Sequence, residues 1–212
     1  MRITKYEHSA IVVAKAGSRI VIDPGSFTTP FTPLTGVRAI VITHEHADHW
    51  SAEHLTRILQ DNPDAVIYGP AGVAAAASAF PVVIVSAGDT RTAGDFTLRF
   101  FGGTHAEIHS SIPLIDNLGV LVDGTLYYAG DSFHIPAGVT VDALAVPAGA
   151  PWLKISEVID YVLAIAPRHS FPAHEMTLSD AGKALSNSRI AWATEQGGGR
   201  FHPLAPGDSL EL

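Results

Sequence analysis

The chain has 212 residues, 47% hydrophobic and 16% charged, which suits a chain that buries a large core and excludes intrinsic disorder. Thirteen Lys and Arg against 21 Asp and Glu give a formal charge of −8, which repels phosphate backbones and argues against a nucleic-acid partner. With no cysteine, disulfides, thiolate nucleophiles and Cys-held metals are excluded, so any metal must be held by nitrogen and oxygen, and 11 histidines are on offer.

The length fits one domain over residues 1–212. The first residues lack the apolar core of a signal peptide, because Lys5, Glu7 and His8 interrupt them. The longest uncharged stretch, 65–88, contains Gly69, Pro70, Gly72 and Pro81, so it reads as strand, turn and short helix rather than a membrane span. A soluble, cytoplasmic protein with no membrane partner is expected.

Strands are predicted at 2–6, 10–14 and 19–22, each rich in Ile and Val. Residues 38–43 are apolar almost throughout, as a strand covered on both faces should be. A helix follows at 51–60, with Leu55, Ile58 and Leu59 on one face. Residues 66–68 read as a strand and 72–79 as a short helix, then 81–85, 90–93 and 96–102 as strands. A hairpin joins 118–122 to 125–129 across Asp123-Gly124, a favoured two-residue turn. A buried strand at 143–146 precedes a helix at 155–166, where Ile155, Val158, Ile159, Val162 and Leu163 recur at helical spacing. A strand at 169–172 leads to a helix at 178–196, with Ser179 as N-cap and Gly197-Gly198-Gly199 as its stop. This order predicts an α/β chain of two mixed sheets packed face to face with helices outside, a four-layer α/β/β/α sandwich.

The chemistry concentrates in Thr43-His44-Glu45-His46-Ala47-Asp48-His49, between an apolar strand and a helix start. His44 and His46 are two apart, so in extended backbone they leave the same face and can converge on one ion at about 2.0–2.1 Å. Asp48 and His49 follow the turn and can reach a second position. Crowding four such side chains into six residues is costly without a cation.

This H-x-H-x-D-H segment after a strand resembles the metallo-β-lactamase superfamily. The other elements of that family occur in order: Asp23 closing an early strand, Gly-Gly-Thr-His ending at His105, Gly-Asp-Ser with Asp131, and Pro-Ala-His with His174. The Gly-Gly-Thr-His-Ala-Glu-Ile-His run, and Tyr6-Glu7-His8-Ser9 in part, are similar to the branch of L-ascorbate-6-phosphate lactonase-like hydrolases. Glu7 stands where that branch has Gly.

The resemblance implies a metallo-β-lactamase fold with two divalent metal ions. His44, His46 and His105 would hold one and Asp48, His49 and His174 the other, with Asp131 bridging both. Asp48 and Asp131 would be the catalytic carboxylates around a metal-activated water, and Asp23 would orient a ligand from behind. His109 lies four residues from His105 and is an alternative third ligand. His8 and His109 are candidates for the substrate pocket. Zinc suits imidazole-rich donors, and Mn or Fe is compatible with them. The implied activity is hydrolysis of a small-molecule ester, lactone or phosphoester. The alternatives are a phosphodiesterase acting on a cyclic nucleotide and a non-catalytic metal-binding module. A di-iron reductase reading is disfavoured, because His46 stands where those relatives carry Glu. A homo-oligomer is compatible with the sequence.

Overall fold

The computed structural model describes residues 1–212. In chain order the elements are β1 (Arg2–Lys5), β2 (Ile11–Lys15), β3 (Ser18–Ile22), β4 (Val37–Val41), α1 (Ala52–Asp61), β5 (Val66–Gly69), α2 (Ala71–Ala76) and β6 (Val82–Ile84). The second half continues with β7 (Thr90–Ala93), β8 (Phe96–Thr104), β9 (Asp116–Val122), β10 (Leu126–Tyr128), β11 (Ala143–Pro147), α3 (Ile155–Ile165), β12 (His169–Ala173), α4 (Asp180–Gln196), β13 (Arg200–Phe201) and β14 (Ser209–Glu211).

The strands form two seven-stranded sheets, ordered β14-β1-β2-β3-β4-β5-β6 and β13-β12-β11-β10-β9-β8-β7. Each is mixed. In the first, β14 to β3 pair antiparallel and β3 to β6 pair parallel. In the second, β7 to β10 pair antiparallel and β10 to β13 pair parallel.

Alternation along the strands builds the layers. Ile20 and Ile22 of β3 and Leu118, Val120 and Val122 of β9 point between the sheets, into a core shared with Phe96, Phe100 and Tyr128. Val21 points the other way, to Ile40, Leu55 and Ile58 beneath α1. Leu121 does likewise on the second sheet, meeting Leu144, Val158 and Tyr161 beneath α3 and Ile190 of α4. The result is the four-layer α/β/β/α sandwich, with helices covering both outer faces.

Local details differ from the sequence reading in physically simple ways. At the β9–β10 hairpin, Asp123 (φ 51°) and Gly124 (φ 66°) adopt the left-handed pair of a type I′ turn, and Thr125 N–H donates to Val122 O. Pairing resumes at Leu126 opposite Val122, so Thr125 forms a one-residue bulge, its carbonyl accepting from Ala143 N–H at 2.9 Å. On α3 the buried stripe is Val158, Tyr161 and Val162, and Ile155 and Leu163 are exposed at its flank. The short β13 and β14 carry too few residues to show a period, yet β14 closes the edge of the first sheet against β1.

Candidate metal centre

Every strand that feeds the centre does so from its C-terminal end, where the loops are free to vary. The loop after β4 carries His44, His46, Asp48 and His49, and Asp23 follows β3. His105 follows β8, Asp131 follows β10, Trp152 follows β11 and His174 follows β12. The β1–β2 turn adds His8. Thr43 ties the two sheets together here: Leu118 N–H of β9 donates to its carbonyl at 2.9 Å.

The donors fall into overlapping groups whose ligating atoms lie within 4.8 Å of one another: His44, His46 and His105; His8, Asp48, His49 and His174; and His44, His49 and Asp131. His105, not His109, meets His44 and His46. His44 Nε2 is 3.0 Å from His46 Nδ1. Asp131 stands between the groups, with His49 Nε2 3.2 Å from Oδ1, and His174 Nε2 and His105 Nε2 at 3.1 and 3.5 Å from Oδ2.

Hydrogen bonds on the far sides of the rings decide which nitrogen faces inward. His105 Nδ1–H donates to Ala106 O (2.6 Å), His174 Nδ1–H to Gly149 O (2.7 Å) and His49 Nδ1–H to Asp23 Oδ2 (2.7 Å). Each therefore presents Nε2 to the centre. Asp23 also accepts from Thr43 N–H (2.8 Å) and Thr43 Oγ1–H (2.7 Å), so one buried carboxylate fixes both the β4 loop and His49. Asn117 fastens the neighbouring turn, donating to Ala129 O (2.8 Å) and accepting from Asp131 N–H (3.0 Å).

Three buried atoms at the middle of this arrangement have no hydrogen-bond partner: His105 Nε2, His174 Nε2 and Asp131 Oδ1. An orphaned buried polar atom is costly, and three facing one another are the mark of a cation site. Electrostatics agree. Burial disfavours the charged form of His49, but Asp131 and Asp23 outweigh it and hold the imidazole well above its usual range. Burial acts the same way on His174, and Asp131 pushes it up to about 9. Asp131 and Asp48 are opposed by burial too, yet the surrounding imidazoles hold both carboxyls well below the ordinary range. These carboxylates therefore call for positive charge at the centre, which a divalent cation would supply. The residues present fit a divalent metal.

Strained backbone gathers here as well. Of the six non-glycine residues with positive φ, three are His8 (58°), Asp23 (45°) and His174 (58°). His and Asp tolerate this region better than most residues, but holding them there still requires the surrounding structure.

Beside the centre opens a cleft of about 610 Å³, whose walls include Glu107, His109, Phe133, Trp152, Leu153 and Lys154. It reaches the centre through Trp152, whose indole N–H donates to Asp131 Oδ2 at 2.9 Å. His109 is exposed on the cleft wall, its Nδ1 accepting from Ser111 N–H at 3.1 Å. His8 is not at a pocket rim. It is wholly buried, with Phe27 packed edge-on at 5.0 Å and both ring nitrogens engaged.

The sequence assigned no hydrogen-bonding role at the centre to Trp152, Asn117 or Thr43, although Thr43 opens the His-rich segment.

The beta-lactamase superfamily domain matches residues 2–174. Protein Rv0786c of Mycobacterium tuberculosis is 37% identical over 199 residues, covering 92% of this chain and 93% of its own length. UPF0173 protein PF0020 of Pyrococcus furiosus is 30% identical over 205 residues, covering 90% of this chain and 93% of its own. Among solved structures, Igni18, a metallo hydrolase from Ignicoccus hospitalis, superposes with a TM-score of 0.73 at 18% identity, covering 100% of this chain and 98% of that one. No helix of the chain is long and apolar enough to cross a membrane. With that domain matched from β1 through His174, and sequence relatives aligned over nearly their whole length, the chain belongs to the beta-lactamase superfamily and carries the metallo-β-lactamase fold.

Proposed function

We propose that the protein is a metal-dependent hydrolase that cleaves a small-molecule ester or lactone. The observation that carries this reading is the convergence of His105 Nε2, His174 Nε2 and Asp131 Oδ1, all buried and without hydrogen-bond partners. Leaving such groups unpaired costs about 1–3 kcal/mol each, which bound cations would offset. His44, His46 and His105 would hold one divalent ion and Asp48, His49 and His174 the second, with Asp131 shared. Zinc is the proposed metal, and Mn or Fe suits the same donors.

Divalent ions held there would supply Lewis acidity, bringing the pKa of water towards about 7 and polarising the oxygen of the bond to be broken. The chain's own residues do the rest. The Asp48 side chain, 25% exposed and so open to the solvent side, would accept a hydrogen bond from the attacking water and set its direction. Asp131, buried and gripped by Trp152, keeps the two groups of histidines facing one another. Phe133, Leu153 and the Trp152 ring offer an apolar wall to the acyl or ring portion of a substrate. His109, exposed on that wall with its Nδ1 held by Ser111, would meet its polar end.

A carbonyl substrate is favoured over a phosphate ester by the charge of the cleft. Lys154 is the one Lys or Arg on its wall, and its Nζ lies 3.6 Å from Glu157, with Glu107 also lining the cleft. Phosphate recognition normally uses arginine forks or several cations. The likeness to the L-ascorbate-6-phosphate lactonase branch accordingly contributes lactone opening to this reading rather than phosphate binding.

The test is elemental analysis of protein purified without added metal, together with a panel of lactones, carboxylic esters and phosphodiesters. About two ions per chain, with lactone or ester turnover abolished by chelation, is the expected result. Turnover of cyclic nucleotides or other phosphodiesters instead would replace the substrate class, and undiminished turnover after complete metal removal would overturn the reading.

A further inference from the structure

His8 has a defined chemical task that its position in a turn does not advertise. Its backbone, at φ 58°, lies in the β1–β2 turn, closed by Tyr6 N–H donating to Ala10 O at 2.8 Å. Glu7 ties that turn to the loop after β3, accepting from Thr29 Oγ1–H at 2.8 Å. The His8 ring is thereby carried inward, where it packs on His174 with centroids 3.9 Å apart.

The two ring nitrogens have distinguishable roles. Met176 N–H can only donate, and it points at His8 Nδ1 from 3.3 Å. The ring proton therefore sits on Nε2, which donates to Asp48 Oδ2 at 3.0 Å. At 3.0 Å this is the shortest contact that the Asp48 carboxylate makes with a side-chain donor. The neighbouring nitrogens, His174 Nε2 at 3.5 Å and His49 Nε2 at 3.8 Å, lie farther off and would face a bound cation, which leaves His8 as the donor that orients the carboxylate. His8 also accepts, through its carbonyl, from His174 N–H at 2.9 Å. One residue thus touches both Asp48 and His174.

Resting on the metal-centre reading above, we propose that His8 is a positioning residue for the second ion, its Nε2–H holding the Asp48 carboxylate towards His49 and His174. A ligand role for His8 itself is disfavoured, because the lone pair of that ring is spent on Met176 N–H and the proton faces Asp48. The His44, His46 and His105 group makes no contact with His8, so its occupancy should be independent of it.

The experiment compares Zn²⁺ titrations of the metal-free wild-type chain with those of His8→Phe and His8→Gln. Phe keeps the ring against His174 but has no donor. The Gln amide N–H reaches about as far as imidazole Nε2. Both pay a similar backbone cost at positive φ, so their difference isolates the hydrogen bond. His8→Phe should bind its first equivalent as wild type does and its second roughly 10- to 100-fold more weakly, the usual cost of losing an orienting partner. His8→Gln should recover most of that loss. Two equivalents bound by His8→Phe at wild-type affinity would overturn the proposal, and so would a His8→Gln as weak as His8→Phe. Absence of Zn²⁺ binding by the wild-type chain would instead sink the metal-centre reading.

Should His8→Phe fail to fold, nitrogen-15 NMR of the zinc-loaded wild-type chain decides the matter. A His8 ring protonated at Nε2 alone supports the proposal, and one protonated at Nδ1 overturns it.

Discussion

Trp152 donates its indole N–H to Asp131 Oδ2 at 2.9 Å, inside a pocket where the ring is also packed on Phe133 with centroids 5.1 Å apart. This couples the wall of the cleft to the carboxylate shared by both groups of histidines. Trp152→Phe removes the donor and keeps an aromatic ring against Phe133. Hydrogen bonds to a charged acceptor contribute about 1.5–3 kcal/mol, so metal affinity and turnover should each fall by roughly 10- to 100-fold. Zinc titration and lactone hydrolysis would check this. A variant with normal zinc binding but raised KM would assign Trp152 to substrate contact alone.

His46→Ala and Asp131→Ala should each lose metal and hydrolysis together. His46 contributes Nδ1 to the group with His44 and His105, and Asp131 stands between that group and His49 and His174. Elemental analysis alongside turnover is the measurement. Hydrolysis retained by a fully metal-depleted variant would separate the chemistry from this centre.

Asp23 accepts three hydrogen bonds, from Thr43 N–H, Thr43 Oγ1–H and His49 Nδ1–H. In Asp23→Asn one acceptor oxygen becomes an amide NH₂, which faces either Thr43 N–H or the Thr43 hydroxyl and His49 Nδ1–H. The expected outcome is a folded protein whose His49 ring is no longer fixed, with zinc bound about 10- to 100-fold more weakly. Wild-type zinc affinity in this variant would mean that packing alone orients His49.

Much of this centre was legible in the sequence because it lies on contiguous strand-to-loop segments. His44, His46, Asp48 and His49 are close in the chain and remain close in space, and the apolar run before them marks β4. Asp23, Asp131 and His174 needed the family resemblance, since nothing local to each shows that three strand ends meet. Trp152 was invisible because its partner is Asp131, with a turn and all of β11 between them in the chain. His8 was expected in the substrate pocket and lies buried outside the cleft, because Phe27 and the loop tied to Glu7 cover it. The helical period of α3 overstated its core face for a related reason: Ile155 and Leu163 have the spacing but no neighbouring layer to meet.

Gly130 shows how tightly the backbone passes behind the centre. Its φ is 64°, and a Cβ there would come within 2.3 Å of Asn117 Oδ1 and 2.8 Å of Thr43 Cβ. Gly130→Ala should therefore destabilise the fold by about 1–3 kcal/mol and displace Asp131 as Asn117 gives way. Thermal unfolding of the metal-free chain would read the first effect and zinc titration the second. An unchanged melting temperature would show that the Asn117 side chain yields without cost.

Lys5 and Glu175 form an ion pair of 2.5 Å next to His174, with side-chain exposures of 1% and 7%. Lys5 also donates to Tyr6 O at 2.8 Å, while Glu175 Oε2 has no partner. Coulomb attraction at that burial is offset by the desolvation of both charges, so the pair need not stabilise the fold on balance. Removing one partner is a different matter, because the other is left charged and buried. Lys5→Met should cost about 3–5 kcal/mol, whereas Lys5→Met with Glu175→Leu, which fills similar volume without charge, should recover most of it. Denaturant unfolding must be done on metal-free protein, since bound zinc would stabilise every variant by mass action and mask the comparison. Equal stability of the single and double variants would mean that Glu175 swings into solvent once Lys5 is gone. In that case the β12 end would be free to move, and the single variant should also bind zinc more weakly through a displaced His174.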